Sequence, residues 1–234
     1  REYADRQIDI QREGFKRLGG LGKWDDPYAS NKFSYEANMV RALAKIIEGG
    51  HLDQGVKPVN WCFDCGSALA EAEIEYQDKN SPAVDVLFKA VDAKAVLAAF
   101  SVDSVEGDVG VPIWTTTPWT LPANQAVALN AVLDYVLVKG HWQGQSLSIV
   151  IAAELKEAVV ARIGMEDAEV LGTCKGDALE HQLVQHPFYD RQVPVILGDH
   201  VTVEAGTGAV HTAPGHGDED FRVGQQSDLP ISNP

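Results

Sequence analysis

Two stretches of this sequence concentrate side chains able to bind and orient a polar substrate. In Trp114-Thr115-Thr116-Thr117-Pro118-Trp119-Thr120-Leu121-Pro122-Ala123-Asn124, four threonines fall within six positions, and Pro118 and Pro122 stiffen the run. Hydroxyls gathered at a strand end can hold a water or a ribose without adding charge. Threonines also favour the pleat of an ordinary strand, so it is the Pro-Trp-Thr-Leu-Pro-Ala-Asn continuation that singles this stretch out. The other stretch runs from Gly206 to Phe221. Gly206, Gly208, Gly215, Gly217 and Pro214 shape a loop that lets backbone approach a ligand. His211, His216, Asp218, Glu219 and Asp220 lie within ten residues of it. That composition suits a His/carboxylate metal site as well as a solvated acidic turn. A third motif, Trp61-Cys62-Phe63-Asp64-Cys65-Gly66, is the half of a zinc knuckle; without a second pair, two reduced thiols in a turn is the simpler reading.

The elements that must position these motifs change in texture along the chain. Residues 1 to about 50 read as helical, the first segment covering Arg1–Leu18 and the second about Tyr35–Glu48, which stops at Gly49-Gly50. From Val56 onward, short β-rich segments alternate with turns: Val84–Val91, Val111–Thr116, Ala126–Leu129, Tyr135–Lys139 and Ser146–Ile151. A helix over about Ala153–Ile163 follows. Further strands are expected at Val193–Leu197, His200–Glu204 and Gly208–Thr212, and a frayed polar tail from Gln225 to Pro234. The pattern predicts an α/β fold: a mixed, mainly antiparallel, barrel-like sheet with surrounding helices and a helical N-terminal lead.

Bulk composition narrows the function. A hydrophobic share of 45% over 234 residues supports a real core. The net charge of −15 opposes strong nonspecific binding of nucleic acid, which needs lysine and arginine to neutralise phosphates. No apolar run reaches bilayer-spanning length, so no membrane partner is expected. Cys62, Cys65 and Cys174 are too few for a disulfide scaffold and suit a reducing, cytoplasmic setting. Beginning at Arg1, the chain reads as a piece of a longer protein.

Together the motifs resemble the isoleucyl-tRNA synthetase family. The likeness covers essentially the whole chain, through Lys57-Pro58-Val59-Asn60-Trp61-Cys62, Ser67-Ala68-Leu69-Ala70-Glu71-Ala72-Glu73, the threonine-rich stretch and the Gly-His loop. Related valyl and leucyl enzymes carry Thr-Thr-Arg-Pro where this chain has Thr116-Thr117-Pro118-Trp119, which makes Trp-Thr-Leu-Pro-Ala-Asn the specific signal. The resemblance implies an editing (connective peptide 1) domain: residues 1–55 as a helical flanking segment of a parent synthetase, and residues 56–234 as the editing domain, cut short at its C-terminal end. The ATP-site signatures His-Ile-Gly-His and Lys-Met-Ser-Lys-Ser are absent, so no aminoacylation is expected of this fragment. It should need no cofactor, although the parent would use ATP and Mg. Some family members hold Zn with the first cysteine pair and a second pair, which here would lie beyond Pro234.

The implied reaction is hydrolysis of valine misattached to tRNA(Ile), and by extension of valyl-adenylate. Editing exists because one methylene in an apolar pocket is worth only about 1–3 kcal/mol, the isoleucine enzymes being the standard illustration of that limit. The resemblance assigns Asp220 as the carboxylate that anchors the α-ammonium group. His211 lines the pocket and, with Trp119, sets its size limit. Thr115, Thr116 and Thr117 line the side of the ester and the terminal ribose, and Asn124 contacts the same end of the substrate. Asp218 and Glu219 are solvated neighbours, and His216 shapes the loop. His211 is also a general-base candidate by type, ranked below orientation of water by threonine hydroxyls and the adjacent ribose hydroxyl. Two other readings stand beside this one: a binding module that hydrolyses poorly, and a metallohydrolase using His211, His216 and Asp220. The expected partner is the aminoacylated 3′ end of the tRNA, met by a monomer.

Overall fold

Glu2 and Asp5 open the first helix and Lys16 and Arg17 close it, so the charges oppose the helix dipole at both ends. In the computed structural model, which describes residues 1–232, this helix is α1 (Glu2–Arg17), and α2 spans Phe33–Glu48. Both belong to a compact unit of residues Arg1–Val56; Lys57–Pro234 form a second unit. In the first unit, Arg1 pairs with Glu36 (2.6 Å) and its guanidinium lies over the Phe33 ring (4.0 Å), which ties the two helices together. Neither helix buries a residue.

In the second unit, β1 (Trp61–Cys62) and β2 (Ser67–Ala68) form a small hairpin around the cysteine turn. The remaining elements follow in chain order: β3 (Val84–Ala90), α3 (Ala93–Ala99), β4 (Asp108–Thr115), β5 (Ala126–Leu129), β6 (Asp134–Trp142), β7 (Gln145–Ala152), α4 (Lys156–Ile163), β8 (Glu166–Lys175), β9 (Leu183–Gln185), β10 (Gln192–Leu197), β11 (Val210–Thr212) and α5 (Asp218–Gln226). Among the described residues, nine strands make one sheet, in the order β11-β5-β10-β9-β3-β4-β7-β6-β8. Only β5–β10 and β4–β7 run parallel, so the sheet is mainly antiparallel, as the strand pattern predicts. The ladder stays open, with β11 and β8 as its ends. It nevertheless curls. The segment that feeds β11 reaches back to the end of β7, where the Ala152 N–H donates to the Thr207 carbonyl (2.9 Å). Gly208 makes that approach possible: its φ is +78°, and a Cβ there would sit 2.3 Å from the Ala152 methyl.

The core lies against the sheet and is built from Phe88, Ile113, Leu129, Tyr135, Leu137, Ile149, Ile151 and Val159, all fully or almost fully buried. A smaller cluster of Ala126, Ala128, Ile196, Val201 and Val223 seats α5. β8 is an edge strand whose pairing with β6 slips at two bulges; its acidic, half-exposed face blunts an otherwise open edge.

Several sequence expectations are corrected. His200–Glu204 has strand composition but no strand: the Val201 N–H turns back to Gly198 O (3.2 Å), and Val201 O accepts from the Asn130 amide (2.9 Å). With those groups committed, Val-Thr-Val has no ladder to join. Gln225 and Gln226, expected in a frayed tail, finish α5, and the Leu229 N–H returns to Gly224 O (2.8 Å). The end of that expected tail, residues 233–234, lies outside the described residues. The sequence reading places no element at β8, β9, α3 or α5, and these emerge in the folded chain. Among the described residues, no helix is long and apolar enough to cross a membrane.

Candidate functional site

The threonine-rich stretch runs off the end of β4. Thr115 is the last strand residue and is buried, whereas Thr116 and Thr117 turn outward. Thr115 Oγ1 accepts the Thr117 N–H (3.0 Å) and lies 3.3 Å from Thr117 Oγ1. Pro118–Ala123 then form a tight 3-10 turn with proline at its first position, where the missing N–H costs nothing. On this turn Trp119 stands largely exposed, at 62%.

Thr120 joins the two sequence motifs. Its hydroxyl donates to Thr117 O (2.9 Å) and meets His211 Nε2 at 2.9 Å. A hydroxyl has one proton, and a carbonyl can only accept. The bond to Thr117 O therefore leaves Thr120 Oγ1 as acceptor and His211 Nε2–H as donor. This places the proton of the neutral ring on Nε2 and leaves Nδ1 as a bare acceptor, which is buried and has no partner among the described residues. His211 is 7% exposed. Burial first, then the neighbouring His216 and His186, push its pKa down to about 4. At neutral pH the ring is uncharged.

His211 sits on β11, opposite Val127 of β5. Two residues on, the Ala213 N–H donates to Asp220 Oδ2 (2.8 Å), which pins the first turn of α5 to the end of β11. Asp220 is half-buried. Its carboxyl is raised above the usual range by burial, partly offset by the Ala213 N–H and by His200 and His216, while Glu219 raises it further. Asp218, Glu219 and His216 are exposed. The Gly-His loop is thus a strand end and a helix start, with one of its three carboxylates turned inward.

Asn124 is fully buried. Its amide donates to Ala126 O (2.8 Å), and its Oδ1 is unpartnered. The side chain therefore offers one acceptor and otherwise braces the entry to β5. Thr115, Thr117 and His211 are brought into one connected set through Thr120, and Asp220 is tied to the same β11 segment. Thr116 and Trp119 flank that set from the exposed side of the turn.

Three residues outside the sequence-derived set support it. Thr120 lies inside the quoted motif, and its spacing of three from Thr117 is the signal that a 3-10 turn would have supplied. His186 and Arg191 lie in the β9–β10 connection and reach the Pro118–Ala123 turn from the far side. Nothing in their local sequence points there.

A metal does not fit the residues present. Among the described residues, no group of three or more His, Cys, Asp or Glu side chains is placed to hold an ion. Cys62 and Cys65 share their hairpin turn, with the Cys65 N–H on Cys62 Sγ (3.2 Å), but a closed zinc site needs four ligands.

Comparison with known proteins adds the family. A family model described as "tRNA synthetases class I (I, L, M and V)" matches residues 1–190. An isoleucine--tRNA ligase of Coxiella burnetii (strain Dugway 5J108-111) is 58% identical over 234 residues, covering 100% of this chain and 25% of that protein. The isoleucine--tRNA ligase of Xanthomonas axonopodis pv. citri (strain 306) is 60% identical over 232 residues, with 98% and 25% covered. The chain thus spans about a quarter of the length of these relatives. Among solved structures, the P. knowlesi cytosolic leucyl-tRNA synthetase editing domain superposes with a TM-score of 0.53 at 11% identity, over 66% of this chain and 68% of that one. At that identity the likeness speaks for the fold alone. The family match over most of the sequence, joined to whole-chain similarity to isoleucine--tRNA ligases, places this chain in the class I tRNA synthetases (I, L, M and V).

Proposed function

We propose that this chain is the editing segment of an isoleucine--tRNA ligase, that it hydrolyses the ester of valine misattached to tRNA(Ile), and that it also hydrolyses valyl-adenylate, where water at the acyl carbon releases AMP in place of the ribose hydroxyl. Residues 1–55 are then flanking sequence of the parent and residues 56–234 the editing domain. The observation that carries this reading is the hydrogen-bonded run of Thr115, Thr117 and Thr120, linked through two hydroxyls and the Thr117 carbonyl and ending on a neutral, buried His211, with an inward-turned carboxylate, Asp220, held on the same strand end. No Lys, Arg, Asp or Glu occurs anywhere from Val109 to Leu133. Asp220 is therefore the natural counterion for the one charge every aminoacyl ester carries, its ammonium group.

Hydrolysis adds water across the ester: the acyl carbon gains the water oxygen, the ribose oxygen regains a proton, and valine leaves. His211, with its pKa near 4, is a poor proton acceptor at neutral pH. Its better role is as a wall whose imidazole, with Trp119, limits side-chain length. Thr115, Thr116 and Thr117 then orient water and the ribose end, and the substrate's own hydroxyl assists. Asn124 Oδ1 serves the same end of the substrate as an acceptor. The partner is the aminoacylated 3′ end of the tRNA, engaged by a monomer. No metal is needed for any of these steps.

The test is deacylation of Val-tRNA(Ile) and Ile-tRNA(Ile) by the chain, with and without a chelator. Preferential, chelator-resistant release of valine is expected. Binding without turnover would make the chain a recognition module, and activity lost to the chelator would point to a metallohydrolase.

A further inference from the structure

The turn that carries Trp119 and Thr120 is held from outside as well as from within. Pro118 and Pro122 have no N–H to give it, and its ends are closed by Thr120 N–H to Thr117 O (3.1 Å) and Asn124 N–H to Leu121 O (3.0 Å). With two donors missing from its six residues, side chains from outside can help to fix its pitch. Two side chains of the β9–β10 connection reach it. His186 Nε2 lies 2.9 Å from Leu121 O, and Arg191 donates to the next carbonyl, Pro122 O (3.0 Å).

His186 is built for this bond. It is 2% exposed, and its Nδ1 accepts the Tyr189 N–H (3.1 Å), which fixes the ring proton on Nε2, facing Leu121 O. The ring stacks on Tyr189 with centroids 5.0 Å apart and meets Phe188 edge-on at 4.6 Å. Burial lowers its pKa. Gln185 also donates to Tyr189 O (2.9 Å) and Arg191 O (3.1 Å), which stiffens the connection itself.

We propose that His186 and Arg191 are positioning residues: by gripping the consecutive carbonyls of Leu121 and Pro122 they set the pitch of the Pro118–Ala123 turn. That pitch places Thr120 against His211 and Trp119 at the mouth of the site. The grip tunes which acyl chains the site accepts, although neither residue touches substrate. This rests on the editing reading for its effect on selectivity, but not for its effect on the turn.

Hydrogen exchange of the whole chain, read at the amides of Thr120 and Asn124, measures the grip without reference to activity. His186→Ala and Arg191→Ala should each speed exchange there by roughly tenfold while the amides of β6 and β7 keep their protection. His186→Gln, which retains an amide N–H toward Leu121 O, should recover most of the protection. With Val-tRNA(Ile) and Ile-tRNA(Ile) as substrates, the alanine variants should show a narrowed ratio of valine to isoleucine release, and the glutamine variant a restored one. Unchanged exchange at residues 118–124 in Arg191→Ala, which removes a partly exposed side chain and threatens no core packing, would overturn the proposal. So would exchange that rises equally throughout the sheet in both alanine variants, or turn-specific exchange accompanied by parallel loss of both hydrolytic activities. If the unmodified chain hydrolyses neither ester, the editing reading fails while exchange still decides whether the grip exists.

Discussion

At the scale of single residues, Asp220 and His211 divide the labour differently from what their charge types suggest. Asp220 Oδ2 already accepts the Ala213 N–H, so Asp220→Ala strands that donor and is expected to cost about 1–2 kcal/mol of stability as well as abolishing valine release. Asp220→Asn keeps a carbonyl acceptor for Ala213 and should fold normally, yet lose activity nearly as completely, because the charge for the ammonium is gone. Asp218→Ala, at an exposed position, should stay active. Deacylation rates beside thermal melts of the three variants check this, and an active Asp220→Asn would remove the carboxylate from its role. His211→Ala should admit the isoleucyl ester while still releasing valine; loss of valine release with isoleucine untouched would make His211 a proton carrier instead.

His211 also makes a pH prediction whose sign is fixed by its depressed pKa. An unfolded histidine takes up a proton near pH 6.5, but the folded one resists until about 4. Stability is therefore fully present above pH 6.5 and lost as pH falls toward 4, at up to roughly 1.4 kcal/mol per pH unit from this group. Urea unfolding between pH 7 and 4 should show a flatter profile for His211→Gln than for the original chain.

At the scale of elements, β11 is only three residues long (Val210–Thr212), and its place depends on what grips the segment before it. The Tyr135 hydroxyl, fully buried on β6, accepts the Asn130 N–H (3.0 Å) and donates to Gly208 O (2.6 Å); burial pushes its pKa up to about 12, so it remains a donor at any working pH. Tyr135→Phe leaves both backbone groups unpartnered and is expected to destabilise the unit by about 1–3 kcal/mol. Gly208→Ala is expected to do at least as much harm, since its methyl would need the space of Ala152 at a backbone angle that disfavours it. Denaturant titration of both variants measures these costs. In each, valine release should fall more than stability alone explains, because the displaced strand carries His211.

At the scale of the whole molecule, charge is unevenly divided. Residues 1–56 hold nine Lys and Arg against nine Asp and Glu, so the entire net charge of −15 belongs to residues 57–234. A polyanionic tRNA is repelled by such a unit unless salt screens it. Catalytic efficiency on full-length Val-tRNA(Ile) should therefore be weak and should rise several-fold as monovalent salt goes from low to physiological concentration, and rise less for a short aminoacylated minihelix. Efficiency that falls steeply with salt, as for a basic binding face, would contradict this.

The threonine-rich stretch, the Gly-His loop and most of the sheet were legible in the sequence because their signals are local. Strand alternation, turn residues and short motifs act over a few positions, and helix ends announce themselves through charge and glycine. β8 was not legible, since its polar, bulged edge lacks a clear alternation, and Val201–Val203 misled because β propensity says nothing about whether a ladder is free to receive it. The joining of the two motifs belonged to the tertiary structure. Thr120 and His211 are 91 positions apart, and His186 and Leu121 are 65 apart. A hydrogen bond across such a separation depends on how the sheet curls and where β11 is pinned. The sequence alone named the chemical groups; the folded chain decided which nitrogen of His211 holds the proton and which carboxylate turns inward, because burial and bond partners are properties of position in space.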